Sequence, residues 1–349
     1  MEQKDILSWT LPELEAFLVQ GGYPKFRAKQ VFRWLHVDMA EDFSSMTNLS
    51  AQFQAELNEI FYITLLKIEK RLVSELDNTV KYLYRLPDGE FIESVLMRYR
   101  YGNSLCISTQ VGCKMGCRFC ASTIAGFVRN LTPSEILQQV YTAERDTGEK
   151  ISNIVLMGIG EPLDNYENVL RFLELLSAPE GHNMSLRHVS LSTCGLVDRI
   201  EALADRRLGL TLSVSLHAPN DSIRDASMPV NQRWPMDRLL RACNNYAKKT
   251  GRRVSFEYAL IKGVNDKEEH ALELANRLKG MLCHVNLIPV NEVEERKDRY
   301  RASELKSIAR FQEILTGHGI NTTVRRTLGA DINAACGQLR REAVKEGGR

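Results

Sequence analysis

Apolar positions in the first sixty residues recur at helical spacing in three short runs. The first covers residues 11–20 and opens on Thr10-Leu11-Pro12-Glu13, a capping box with proline in the first turn. The second covers 26–35 and follows Gly21-Gly22-Tyr23-Pro24. The third runs from about 51 to 61, with Phe53, Leu57 and Phe61 on one face. These runs predict a small helical accessory unit over 1–61. The period then changes to two. Residues 79–86 alternate and are rich in β-formers, Pro87-Asp88-Gly89 is a turn, and 91–97 return as a second strand. A β-hairpin extension over 62–100 is expected.

From residue 104 strands and helices alternate. The strand candidates are 104–108, 153–157, 188–192, 210–216, 254–260 and 284–288. Between and after them lie helical patterns at 166–176, 198–205, 236–248, 268–279 and 302–315, and a further helix opens on the capping box Thr132-Pro133-Ser134-Glu135. Six βα units argue for a parallel sheet over 101–330 and are too few for a closed eight-fold barrel. A partial barrel and a doubly wound sheet both fit this pattern. Residues 331–349 form a separate C-terminal segment.

Composition narrows the class. At 349 residues, 44% apolar and 26% charged, the chain is neither disordered nor fibrous. It contains no apolar run of ~18 residues, so no membrane span is expected. The opening Met1-Glu2-Gln3-Lys4 lacks the pattern of a secretory leader, and a cytoplasmic protein is expected. The net charge of +2 is too small to point to nucleic acid. Basic pairs such as Arg325–Arg326 and Arg340–Arg341 read as solvated faces, with a composite phosphate-binding surface as the alternative.

Cysteine spacing changes the picture. Three of the eight cysteines, Cys113, Cys117 and Cys120, form C-x3-C-x2-C directly after the first strand of the βα series. That is the end of the strand where βα folds place their active sites. Three thiolates are one short of a closed zinc site or an ordinary four-cysteine iron–sulfur cluster. A three-cysteine site leaves one metal position for a small molecule. A zinc site completed by a distant fourth ligand is the alternative.

The spacing, with Phe119 just before the last cysteine, resembles the radical S-adenosylmethionine (SAM) enzymes. The resemblance implies a partial (β/α)6 barrel and a 4Fe–4S cluster on Cys113, Cys117 and Cys120. Its open iron would chelate SAM, and one electron would cleave the sulfonium to a 5′-deoxyadenosyl radical. A longer series of motifs narrows this further. Val111-Gly112-Cys113, Cys120-Ala121-Ser122-Thr123, Met157-Gly158-Ile159-Gly160-Glu161-Pro162, Leu191-Ser192-Thr193, Ser215-Leu216-His217-Ala218-Pro219-Asn220, Asn286-Leu287-Ile288-Pro289 and Ala334-Ala335-Cys336-Gly337-Gln338-Leu339 occur in order. Together they resemble the RlmN/Cfr family of RNA adenosine methyltransferases. The RlmN branch methylates adenine C2 in 23S rRNA and tRNA; the Cfr branch, which methylates C8, is the alternative.

By that resemblance Cys336 takes a methyl group from one SAM, and a second SAM supplies the radical that removes hydrogen from the S-methyl group. The methylene radical adds to C2. Cys106 then attacks the Cys336 sulfur, forming a disulfide and releasing the product, with Glu93 as proton acceptor. Gly160, Glu161, Ser192, Ser215, Leu216, His217 and Asn291 would bind SAM. An external electron donor such as flavodoxin or ferredoxin is implied, and a monomer is expected. Two rivals remain: a glycyl-radical activase, which needs neither Cys106 nor Cys336, and a non-catalytic zinc-bearing RNA-binding module. Cys194, Cys243 and Cys283 fit no motif and read as core or semi-buried thiols. Trp9, Trp34 and Trp234 read as packing, and the charged stretch 292–301 as a solvated loop.

Overall fold

The computed structural model describes residues 3–290, 296, 298–332, 339–341 and 343. Three helices, Leu11–Gln20, Phe26–His36 and Ala51–Ile60, form the N-terminal unit. The Thr10 side chain caps the first helix through the Glu13 N–H, and Glu13 accepts the Thr10 N–H at 2.8 Å. Trp9, Phe17 and Phe61 pack edge to face, with ring centres 5.2–5.4 Å apart. The unit docks on helix Pro133–Thr147, where His36 Nδ1 lies 3.0 Å from the Tyr141 hydroxyl. Arg171 of helix Tyr166–Leu176 adds an ion pair to Glu13 at 2.7 Å.

His36 is buried, and its pKa is pushed down to about 3, first by burial and then by the nearby His182. The folded chain therefore keeps His36 neutral, whereas the unfolded chain protonates it below about 6.5. Stability is unaffected above that pH. It falls as pH drops from 6.5 towards 3, by up to about 1.4 kcal/mol per pH unit. Denaturant titrations should show a shallower acid slope for His36→Gln than for wild type; equal slopes would contradict the buried neutral state.

The sheet has ten strands. Seven are parallel and adjacent in chain order: Gly102–Cys106, Ile151–Leu156, Val189–Thr193, Thr211–Ser215, Val254–Leu260, Cys283–Pro289 and Thr322–Val324. A doubly wound sheet reverses its order at a switch point. This one never does, as barrel winding requires. On the other side of the first parallel strand the sheet continues antiparallel through Phe91–Tyr99, Val80–Arg85 and Lys67–Val73.

The expected hairpin is thus the inner part of a three-stranded extension in one sheet with the barrel. Lys67–Val73 eluded the pattern because its sequence, KIEKRLV, is largely polar and exposed. The seventh parallel strand is too short to show a period, and helix Asp221–Ser227 was also unexpected.

Period two sorts the barrel strands. Leu191, Leu212, Val214, Phe256, Tyr258, Val285 and Leu287 face the helices and form the core. The opposite face is polar. Ser192, Ser213, Ser255 and His284 lie in register, and the next rung is Ser215, Glu257, Asn286 and Thr323. A barrel interior of this kind is built to hold a polar ligand rather than to pack. No helix among the described residues is long and apolar enough to cross a membrane.

Candidate active site

The cysteine loop leaves the first parallel strand through a short antiparallel ribbon, Gln110–Gly112 paired with Phe127–Asn130. Gly112 makes the ribbon possible. Its φ is +78°, and a Cβ there would stand 1.7 Å from the Gly126 carbonyl oxygen. Backbone cannot yield as a flexible side chain can. Gly112→Ala should cost roughly 2–4 kcal/mol or splay the ribbon. The expected result is a lower unfolding midpoint in urea together with loss of bound iron; an unchanged midpoint and iron content would contradict the ribbon's role.

The loop is also anchored at its tip. The Arg118 N–H donates to the Ser227 carbonyl at 2.9 Å. Arg296 donates to the carbonyls of Cys117 and Cys120, both at 3.0 Å, and to the Thr123 hydroxyl at 3.2 Å. Arg296, within the stretch read as a solvated loop, thus makes a structural contact with the cysteine loop.

Cys113, Cys117 and Cys120 line one cavity of about 220 Å³. Burial pushes the Cys113 thiol up to about 12 and raises Cys117 as well. Without metal these thiols hold their protons, and a bound metal displaces them. Among the described residues no three His, Cys, Asp or Glu side chains form a site for a single ion. A 4Fe–4S cluster binds each cysteine at a different iron and does not ask the sulfurs to converge on one point. The donor set therefore fits such a cluster.

The same cavity is lined by Gly160, Glu161, Ser192, Ser215 and His217. The segment carrying Gly160 is laid against the first strand's exit. The Gly158 N–H donates to the Ile107 carbonyl at 3.0 Å, and the Thr109 N–H to the Ile159 carbonyl at 2.9 Å. A Cβ on Gly158 would meet the Ile107 carbonyl at 2.6 Å. Glu161 accepts the Cys194 N–H at 2.7 Å and the Leu163 N–H at 3.0 Å. Burial raises its pKa against the effect of these bonds.

His217 is left-handed, with φ of +53°. Its Nδ1 accepts the Ala259 N–H at 2.9 Å, so the proton of the neutral ring is on Nε2. Burial holds the ring neutral by lowering its pKa to about 3. The Phe119 ring meets it edge-on at 5.1 Å.

Two expected cofactor contacts stand differently. The Leu216 side chain packs in the hydrophobic core and does not line the cavity, because period two turns it to the helix face between Ser215 and His217. Asn291 lies outside the described residues, as does Cys336. The cavity also has walls that were not among the expected site residues: Met157 and Thr193, which lie inside quoted motifs, and Cys194, Glu257 and Arg325, which do not. Glu257 accepts from Asn286 at 2.8 Å and Ser255 at 3.2 Å, and burial raises its pKa. Alternation within 254–260 puts Ser255, Glu257 and Ala259 on one face, a signal that was available in the sequence.

Cys106 ends the first parallel strand opposite Val95. It packs with Val95 and Met97, covered by Val155, Met157 and Leu328. Met157 also lines the cavity, so one side chain joins the two places. Glu93 is two residues before Val95 and faces the same side. It is buried and ion-paired with buried Lys81 at 3.2 Å. Its other carboxylate oxygen accepts the Arg340 N–H at 2.6 Å, which brings the described part of the C-terminal segment onto the extension.

The chain matches known proteins along its length. Residues 107–275 match the Radical SAM superfamily, and residues 4–63 match the Ribosomal RNA large subunit methyltransferase N-terminal domain. A probable dual-specificity RNA methyltransferase RlmN of Alkaliphilus oremlandii is 54% identical over 345 residues, covering 99% of this chain and 100% of that one. Its counterpart in Clostridium novyi is 50% identical over 342 residues, 98% of this chain and 99% of the relative. The crystal structure of a radical SAM methyltransferase from Sphaerobacter thermophilus superposes with a TM-score of 0.90 at 43% identity, covering 96% of this chain and 98% of that one. With the three-cysteine loop at the mouth of a partial barrel, these likenesses show that the chain belongs to the RlmN family of radical SAM RNA methyltransferases.

Proposed function

We propose that the protein methylates C2 of adenosine in 23S rRNA and in tRNA, with Cys336 as methyl carrier and two SAM molecules consumed per methyl group. The observation that carries this reading is the convergence on one cavity of the three cysteines with Gly160, Glu161, Ser192, Ser215 and His217. The relatives named for dual-specificity RNA methylation add the substrate class.

Adenine C2 is electron-poor and does not attack a sulfonium methyl, so the methyl group must become a radical. When bound, a 4Fe–4S cluster supplies the electron that splits SAM into methionine and the 5′-deoxyadenosyl radical. Cys113, Cys117 and Cys120 hold that cluster. Glu161 and the backbone around Gly160 bind the amino-acid end of SAM. Ser192, Ser215 and His217 line its remaining path, and the edge-on Phe119 ring fixes the His217 imidazole.

Cys336 accepts the first methyl group as a thiolate nucleophile. The radical from a second SAM removes one hydrogen from that methyl group, and the methylene radical adds to C2. The adduct then loses one electron, which an iron–sulfur cluster would take back, and its C2 proton, which Glu93 accepts with Lys81 holding the carboxylate in place. Cys106 waits on the adjoining wall, behind Met157. Its thiolate attacks the Cys336 sulfur: the Cys–Cys bond forms, the carbon–sulfur bond breaks, and the released carbon leaves with the bonding pair and takes up a proton to become the methyl group. A one-electron donor of the flavodoxin or ferredoxin class and a thiol reductant restore the enzyme.

The test is an anaerobic reaction of the reconstituted protein with SAM, a one-electron reductant and transcripts of the two RNAs, followed by nucleoside mass spectrometry. The expected product is 2-methyladenosine from both RNAs. 8-Methyladenosine overturns the C2 assignment, and no methylated adenosine from a cluster-loaded protein overturns the reading as a whole.

A further inference from the structure

One buried charge has no part in the chemistry so far. Arg224, on helix Asp221–Ser227, is fully buried and is the largest side chain so placed. Its guanidinium donates to the carbonyls of Cys194 at 2.7 Å, Ser215 at 3.1 Å and Leu216 at 3.1 Å, and to the Asn231 amide oxygen at 2.9 Å. All four acceptors are neutral. Asp221 and Asp225 stand one side chain further off, each accepting from the Asn231 amide at 2.8 Å.

A cation taken out of water without a counter-ion costs several kcal/mol, so buried charges are normally paired or metal-associated. Each guanidinium nitrogen of Arg224 has a hydrogen-bond acceptor, but among the described residues no carboxylate is ion-paired with it. Cys194 and Ser215, whose carbonyls Arg224 holds, line the cavity of the three cysteines. The helix that carries Arg224 also receives the Arg118 N–H from the cysteine loop itself.

We propose that Arg224 is a positioning residue and the buried counter-charge of the metal-loaded cysteine loop: it pins the two strand ends that wall the cavity and makes the bound cluster easier to reduce. The inference rests on the reading of the loop as a 4Fe–4S site. One-electron reduction takes the cluster from the 2+ to the 1+ state with no bond made or broken, and a fixed nearby cation favours the more negative state. Net charge and hydrogen bonding are the levers by which a protein sets such potentials. A purely structural clamp would hold the strand ends and leave the potential alone.

The experiment compares wild type, Arg224→Gln and Arg224→Lys, each reconstituted anaerobically without SAM. Iron and sulfide are counted, folding is checked by circular dichroism, and the cluster is titrated with dithionite under electron paramagnetic resonance. In loaded, folded Arg224→Gln the reduction equilibrium constant should fall at least about tenfold, a midpoint ~59 mV more negative for one electron. Arg224→Lys, which keeps the charge, should stay within about threefold of wild type.

An Arg224→Gln constant equal to that of wild type overturns the inference and leaves the cluster reading intact. Where the Gln variant does not fold, the Lys variant decides: a tenfold fall in loaded Arg224→Lys shows that charge is not the cause. A wild-type protein that takes up no iron and sulfide overturns the underlying reading, and the counter-charge with it.

Discussion

Alanine at Cys113, Cys117 and Cys120 together should give a folded, colourless protein that binds no iron. Wild type, reconstituted anaerobically, should hold about four irons and four sulfides per chain and absorb in the visible. Methyl transfer by the triple variant should fall at least ~10³-fold, because the three residues act as one unit. The fold should survive. The cavity is anchored by contacts that the thiols do not make: the Gln110–Gly112 ribbon, the Arg118 N–H on Ser227, and Glu161 on the backbone of Cys194. Metal analysis with circular dichroism checks both halves. Stoichiometric zinc without iron in wild type would instead favour a non-catalytic zinc module.

The second large effect separates the two remaining cysteines of the chemistry. If Cys336 carries the methyl group as proposed, Cys336→Ala should form no methylated RNA. If Cys106 releases the product as proposed, Cys106→Ala leaves the carrier intact but removes the releasing thiolate. That variant should accumulate a covalent protein–RNA thioether, visible as a shifted band of labelled RNA on a denaturing gel. The burial of Cys106 behind Met157, on the sheet face shared with Glu93, suits a thiol that acts late and is otherwise kept from solvent. Free turnover by Cys106→Ala, with no adduct, would remove its resolving role.

Much of this was legible in the sequence because the relevant signals are local. The two capping boxes at Thr10 and Thr132 sit where their helices begin. All six expected barrel strands are present, one with the expected bounds and five with ends shifted by one or two residues. The cysteine spacing singled out three residues that line one cavity in the structure.

What escaped was information carried by tertiary contact. Lys67–Val73 is a polar edge strand whose partner alone makes it a strand. Leu216 sits inside a motif, yet its side chain is turned to the core by the strand's alternation. Cys194, just past the end of strand Val189–Thr193, reaches the cavity only because neighbouring strands end beside it, and Glu257, legible as one face of 254–260, becomes a cavity wall only once those strands are side by side. Arg224 reads as one more charged residue on a short polar helix until the fold buries it.

The central claim is that the methyl group reaches adenine through the Cys336 sulfur as a carbon radical. Reaction with SAM carrying a trideuterated methyl group tests it most directly, by the mass of the 2-methyladenosine released from RNA. Removal of one hydrogen from the S-methyl group of Cys336 predicts a product methyl with two deuteriums, and the third in 5′-deoxyadenosine. A product methyl that keeps all three deuteriums would mean transfer of the intact group and would contradict the mechanism.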